Sequence, residues 1–154
     1  MLDTNVWIRA FRDPEANRAL EAFHLVHGPS EYMSSVVAHE LRAGVNTSAD
    51  RHKLERQILD RFERVNRVIT PSDSAWQRAG DVFATLRRQD GRDVSRTSKS
   101  FGNDVLLAVS CREVGMVLVT DNRRDFDRIR KVVAFEFMDR FPLDRSRTAP
   151  RRVP

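Results

Sequence analysis

The sequence predicts an α/β sandwich around a mostly parallel sheet. Short apolar segments that suit buried strands alternate with longer segments whose apolar residues recur at helical spacing. Helix boundary signals separate them, such as the Asp13-Pro14 start and the Gly115 stop. Because the predicted strands are short and the predicted helices long, we expect helix to dominate.

The predicted elements follow one another with short connections. The first half of the chain is predicted to contain a short strand ending at residue 3, a helix over 5–11, a helix from Asp13-Pro14 to Gly28-Pro29, a strand over 31–34, a helix capped by Ser34 or Ser35, a helix over 48–66 and a strand over 68–70. The second half is predicted to contain a helix entered through Pro71 and Ser72, a helix capped by Asn103 and ended by Gly115, a strand over 116–119, a short helix with Phe126 and Ile129, and a strand over 134–138. Residues 87–100 are polar, basic and without periodicity, so we expect a mobile loop there.

Composition indicates one soluble domain. The chain has 154 residues, 40% hydrophobic and 32% charged, which is enough for a core of its own. It contains no apolar run as long as a membrane span and no signal peptide before the first strand, so we expect a cytoplasmic protein without membrane contact. The single cysteine, Cys111, excludes an internal disulfide and fits a reducing compartment.

The charge balance is basic. The net charge is +5 and the isoelectric point about 10.3, with arginine supplying most of the excess. A polyanionic partner and a solvated surface with a basic tail are both compatible with this charge. We expect a folded domain over residues 1–141 and a disordered basic tail over 142–154.

Acidic residues occupy positions that point to one site. Asp104 continues an apolar stripe of the central helix, and Glu40 borders the buried face of another helix. Asp3 and Asp125 follow predicted strands, where open α/β sheets bind their ligands. Carboxylates brought together repel unless a cation neutralises them, and carboxylate oxygens are the ligands of Mg²⁺ or Mn²⁺. The four acids therefore predict a divalent-metal site, although each alone could be a cap, a turn residue or an ion-pair partner.

The motifs resemble those of a PIN-domain ribonuclease, most closely a VapC-type toxin of bacterial toxin–antitoxin pairs. They are Asp3-Thr4-Asn5, Glu40 within VVAHELRAG, Asn103-Asp104 and LVTDNRRDF, and they cover the chain to about Met138. The resemblance implies a three-layer α/β/α fold, Mg²⁺ or Mn²⁺ dependence, cleavage of RNA by metal-activated water, an antitoxin partner and a homodimer.

The resemblance also assigns roles to residues. Asp3, Glu40 and Asp104 match the first three acidic, metal-binding positions. Relatives carry the fourth acid either where Asn122 stands or where Asp125 stands. Because Asn122 is an amide, Asp125 is the expected fourth acid, with Asp121 a weaker candidate. Expected supporting residues are Thr4, Asn5, Thr120, Asp121 and Asn122, and expected RNA-steering residues are Arg87, Arg88, Arg92, Arg96 and Lys99.

Two other functions are compatible with parts of the sequence. An aspartyl-phosphate phosphohydrolase would use Asp3 after the first strand, but that chemistry typically needs a second acid where Asn5 stands. A nucleic-acid-binding module with an inactive acidic site would explain the basic tail. Metal-dependent RNA cleavage that is lost in Asp3→Asn would distinguish the ribonuclease from both.

Overall fold

The computed structural model describes residues 1–90 and 99–139, which fold into helices around short strands. Its elements are α1 Thr4–Arg12, α2 Pro14–His27, a 3₁₀ turn Gly28–Ser30, β1 Met33–Ser34, α3 Ser35–Gly44, α4 Ser48–Leu54, a π-helical turn Glu55–Leu59, α5 Asp60–Glu63, β2 Val68–Ile69, α6 Asp73–Asp90, α7 Lys99–Val114, β3 Leu118–Thr120, α8 Arg123–Arg130 and β4 Phe137–Asp139. None of the helices in these two ranges is both long and apolar enough to cross a membrane. The predicted tail over 142–154 lies outside the described residues.

Every strand pairing in the described ranges is parallel, as the sequence predicts. β1 pairs with β2, with Met33 opposite Val68, and β3 pairs with β4, with Val119 opposite Met138. The predicted first strand is reduced to one parallel bridge between Leu2 and Val119. This bridge brings Asp3 to the carboxyl end of β3, because the backbone N–H of Asp3 donates to the Val119 carbonyl at 2.9 Å.

Helix α7 and strand β3 form the centre of the core. Val105, Ala108 and Cys111 on α7 are fully buried, and all three residues of β3 are buried. A parallel strand covered on both faces is expected to be continuously apolar. The polar residue at its end, Thr120, is also fully buried, so its hydroxyl must find partners within the protein.

Two predicted helix starts at side-chain caps are confirmed, those at Asp13 and at Ser34. The Asp13 carboxylate accepts from the backbone N–H of Glu15 at 2.9 Å, with Pro14 at the first helical position. The Ser34 hydroxyl accepts from the N–H of Val36 at 3.1 Å. Ser34 thereby ends β1 and starts α3, the helix that carries Glu40, within a single residue.

The predicted loop over 87–100 is wrong at both ends. Helix α6 continues to Asp90 and α7 starts at Lys99, so Asn103 lies within α7 and does not cap it. Burial decides the early start, because the Phe101 ring is 4% exposed and packs edge-on against Phe83 at 6.1 Å. The polar residues around Phe101 obscured this contact in the sequence.

The predicted single helix over 48–66 is interrupted and shorter. A π-helical turn lies between α4 and α5, and the helical segment ends at Glu63. The turn keeps Leu54, Leu59 and Phe62 all buried, although their spacing does not match one regular helical face. Asn66 then adopts a positive φ of 54° as the chain turns into β2.

We expect Gly115→Ala to destabilise the fold. Gly115 has φ +68° in a Schellman turn, where the N–H of Met116 donates to the Cys111 carbonyl at 2.8 Å. A side chain in this left-handed conformation costs about 1–2 kcal/mol, which urea unfolding would measure.

Gly80→Ala is the matched control for this measurement. Gly80 lies inside α6, and an added Cβ would meet no atom within 4 Å. This variant should raise the free energy of unfolding by about 0.5–1 kcal/mol. If Gly115→Ala and Gly80→Ala changed the free energy of unfolding in the same direction, residue 115 would not require a glycine for its left-handed conformation.

Candidate active site

Asp3 is a buried carboxylate whose two oxygens are held by neutral donors. Oδ2 accepts from the Thr120 hydroxyl at 2.6 Å and from the Asn5 amide at 2.7 Å, and Oδ1 accepts from the backbone N–H of Thr4 at 2.7 Å. Asn5 also joins the two strand ends, because its Oδ1 accepts from the N–H of Asp121 at 3.1 Å. Residues at the start of α1 and at the end of β3 thus fix the orientation of the Asp3 carboxylate together.

Glu40 reaches the same edge from α3. Its Oε2 accepts from the hydroxyl of Thr4, the neighbour of Asp3. Its Oε1 accepts from the Asn103 amide at 2.7 Å. Asn103 was predicted as a helix cap, and its contact with Glu40 was missed. Its position beside Asp104 on a core helix was the signal available in the sequence.

Asp104 and Asp125 meet through Asn122. One amide nitrogen, Nδ2 of Asn122, donates to Oδ2 of Asp104 and to Oδ2 of Asp125, both at 3.0 Å. The backbone N–H of Asn122 donates to the Thr120 hydroxyl at 2.9 Å. Asn122 is the N-cap residue of α8 without a side-chain cap bond, and Asp125 lies in the first turn of that helix.

Asp121 is directed away from the other acids. Its carboxylate forms an ion pair with Arg9 of α1 at 2.9 Å. Arg9 and Asp121 line a separate pocket with Thr120, Arg123 and Asp139. Of the five acids that the sequence nominated, the structure gathers Asp3, Glu40, Asp104 and Asp125 and leaves Asp121 beside an arginine.

Burial and mutual repulsion disfavour the charged forms of the two most buried acids. Burial, together with the charges of Asp3, Asp125 and Glu40, raises the pKa of Asp104 to about 8, against a hydrogen bond from Asn122 that favours its charged form. Burial likewise raises the pKa of Asp3 to about 6, against hydrogen bonds from Thr120, Thr4 and Asn5 that favour its charged form. These acids are close enough to repel one another, which is the expected electrostatics of a cation site.

The donor set fits a hard divalent cation. No group of three or more His, Cys, Asp and Glu side chains in the described ranges is arranged to hold a metal ion as it stands. Mg²⁺ does not need such a cage, since it is commonly bound by one or two carboxylates together with water and substrate phosphate. Oxygen ligands without cysteine or histidine favour Mg²⁺ or Mn²⁺ over zinc.

The arginines expected to steer RNA are only partly described. Arg87 and Arg88 are exposed on the last turns of α6, and Arg88 donates to the Thr85 hydroxyl at 3.1 Å. Lys99 is the first residue of α7. Arg92 and Arg96 lie outside the described residues. A role of this group in RNA binding stays a prediction.

Comparison with known proteins identifies the family. The PIN domain family model matches residues 1–132. A tRNA(fMet)-specific endonuclease VapC of Shigella flexneri is 31% identical over 129 residues, which cover 84% of this chain and 90% of that protein. Ribonuclease VapC1 of Haemophilus influenzae strain R2866 is 30% identical over the same coverage. The chain therefore belongs to the PIN domain family and to its VapC-type members, which confirms the resemblance seen in its motifs.

A solved structure has the same fold. The crystal structure of DNA-bound VapBC from Salmonella typhimurium contains a chain that superposes with a TM-score of 0.68 at 22% identity. The match covers 90% of this chain and 96% of that one. The predicted α/β/α sandwich of PIN type is confirmed.

We expect the metal-free protein to lose stability as the pH rises from about 4 to about 8. In this window the native state retains protons on Asp3 and Asp104, whose pKa values are raised to about 6 and about 8. The unfolded chain has already released them. The native state binds more protons, so the free energy of unfolding decreases with pH.

Asp104→Asn tests this expectation, because asparagine resembles the protonated acid. In EDTA it should raise the free energy of unfolding at pH 8 by on the order of 1–3 kcal/mol and change little near pH 4. The control is Asp127→Asn. Asp127 is half-buried on α8, where it forms ion pairs with Arg123 and Arg130. An Asp104→Asn effect independent of pH would show that charge repulsion is not its source.

Proposed function

We propose that the protein is a divalent-metal-dependent endoribonuclease and the toxin of a VapBC-type pair. The observation that carries this proposal is the meeting of Asp3, Glu40, Asp104 and Asp125 at one edge of the fold, with raised pKa values for Asp3 and Asp104. VapC relatives named as ribonucleases support RNA as the substrate. Water is the proposed nucleophile, since water activated by a bound cation needs no side-chain nucleophile.

Asp3 and Asp104 are the acids that we assign to hold Mg²⁺ or Mn²⁺. They are the most buried of the four, and the charge of one raises the pKa of the other. A bound cation supplies Lewis-acid charge for the scissile phosphate and lowers the pKa of water. The donors from Thr120, Asn5 and Asn122 keep these two carboxylates oriented before any ion arrives.

Glu40 and Asp125 are less buried and are assigned to water molecules of the site. Both oxygens of Glu40 are held, by Thr4 and by Asn103, so this carboxylate has a fixed orientation for accepting a proton from water. Water attacks the phosphorus in line with the 3′ oxygen, and the bond between phosphorus and that oxygen breaks. The 3′ oxygen takes up a proton, which leaves a 5′ phosphate and a 3′ hydroxyl.

The partner that we propose is a cognate antitoxin, and the assembly a homodimer in the cytoplasm. The structure of VapBC-1 from nontypeable Haemophilus influenzae has the same fold, with a TM-score of 0.63, which supports a partner of the VapB type. A toxin with a net charge of +5 suits an acidic partner.

The geometry does not favour an aspartyl-phosphate mechanism. Both oxygens of Asp3 already accept hydrogen bonds, and Asn5 supplies an amide donor where a second acid would be needed. Phosphorylation of Asp3, which is only 4% exposed, would break the hydrogen bonds that Thr120 and Asn5 donate to its carboxylate. Hydrolysis by water needs no such rearrangement.

We expect Asp3→Asn and Asp104→Asn to reduce RNA cleavage by at least about 100-fold, because each removes a charge that binds the cation. The assay is the cleavage of deproteinised total bacterial RNA with Mg²⁺ or Mn²⁺, and EDTA should abolish the wild-type rate. Asp127→Asn should cleave like wild type. Full activity of a folded Asp3→Asn protein would refute the proposed mechanism.

We expect Asp125→Ala to reduce activity by roughly tenfold or more, and Asn122→Ala to reduce it less. Asp125 contributes a charge, whereas Asn122 contributes hydrogen bonds that hold Asp104 and Asp125. Cleavage rates against Mg²⁺ concentration, measured beside thermal unfolding, separate loss of metal affinity from loss of folding.

Capping is the competing role for Asp125. Loss of a helix cap costs about 1 kcal/mol of stability and leaves the chemistry intact. An Asp125→Ala protein that is less stable yet fully active per folded molecule would therefore remove Asp125 from the acidic site.

A further inference from the structure

A polar groove between α3 and α7 adjoins the acidic site. Its volume is about 640 Å³, within the range of small-molecule sites. It is open to solvent, and its walls are two facing helix surfaces lined by His39, Glu40, Ala43, Gly44, Ser100 and Asn103. Because Glu40 and Asn103 belong to the acidic site as well, the groove begins where the scissile phosphate would lie.

Helical spacing explains the shape of this groove. On α3, His39 and Ala43 are four residues apart, and so are Glu40 and Gly44, so the four residues form one continuous surface. The polar side chains lie at the end near the acids, and the two smallest side chains leave the remaining space open. The Asn103 amide on α7 donates to Glu40 on α3 at 2.7 Å, and this hydrogen bond links the two helices that form the groove.

The groove offers the contacts that a nucleotide requires. His39 is exposed on its rim, and unpaired RNA bases stack on aromatic side chains including histidine. Asn103 uses its amide N–H for Glu40, which leaves its carbonyl oxygen as an acceptor for a base edge. Among the described side chains, those that line the groove include no lysine or arginine, so this lining suits a base and ribose better than a phosphate.

We propose that the α3–α7 groove holds one unpaired nucleotide of the substrate RNA, next to the scissile phosphate, with its base stacked on His39. This subsite rests on the proposed ribonuclease function and adds a determinant of where the RNA is cut. Ala43 and Gly44 make the room for the nucleotide, and His39 sets the preference for the base.

Gly44→Phe tests whether the groove is used, because it fills the open part of the groove and leaves all four acids unchanged. An added Cβ at Gly44 meets no atom within 4 Å, and the same is true of Gly80 on α6. Both glycines lie in helices without a positive φ, so Gly80→Phe is a matched control for folding and surface hydrophobicity. Thermal unfolding of both variants should confirm that each is folded.

The first probe is deproteinised total bacterial RNA, in which sequencing maps the positions of cleavage. A short RNA that contains the most strongly cleaved position is then the substrate for kinetics. Gly44→Phe should raise KM for that RNA by at least about tenfold with a smaller change in kcat, and Gly80→Phe should behave like wild type. An unchanged KM in Gly44→Phe would overturn the subsite while leaving the ribonuclease intact. No cleavage by wild type with Mg²⁺ or Mn²⁺ would instead overturn the proposed function, and the subsite with it.

His39 variants test the stacking. His39→Ala should weaken binding of the short RNA by about 5- to 100-fold and flatten the base preference at one position beside the cut. His39→Phe should restore binding, because it keeps an aromatic face. His52→Ala, an exposed histidine on α4, should change neither. Equal binding by His39→Ala and wild type, with the same junction preference, would overturn the role of His39.

Discussion

The acidic site depends on one constraint: neutral hydrogen-bond donors must hold carboxylates of like charge close together in a buried position. Asp3 is 4% exposed and Asp104 is 7% exposed, and carboxylates so placed repel one another strongly. The fold tolerates this because hydroxyl and amide groups hold the oxygens. The Thr120 hydroxyl is central among them, since it donates to Asp3 and accepts from the backbone of Asn122.

This arrangement trades stability for function. An apolar residue at Asp3 or Asp104 would suit the core better, because the pKa of each acid is raised mainly by burial. Natural proteins accept such local conflicts at functional sites and compensate for them elsewhere. Here the compensation is the apolar packing of α7 and β3, whose apolar side chains from Phe101 to Cys111 and from Leu118 to Val119 are buried. Asp104 lies on α7 itself, and Asp3 accepts a hydrogen bond from the last residue of β3, so this buried packing helps to keep both acids oriented.

The sequence predicted the fold well where local chemistry is strong. The Asp13-Pro14 start, the Ser34 cap and the Gly115 stop are all confirmed, because each depends on neighbouring residues alone. The predicted start of α7 at Asn103 was wrong, because the contact between Phe101 and Phe83 is made across two helices. The π-helical turn after Leu54 was not predicted, because it follows from burial against the rest of the core.

The sequence by itself determined which acids could form a site, because Asp3, Glu40, Asp104 and Asp125 lie at strand ends or on the borders of apolar stripes. It could not determine that Asp121 faces Arg9 or that Asn122 bridges two carboxylates. Those outcomes depend on the parallel bridge between Leu2 and Val119 and on the position of α8 directly after β3. Only tertiary structure decides such partners, since residues more than a hundred positions apart become neighbours when the strands pair.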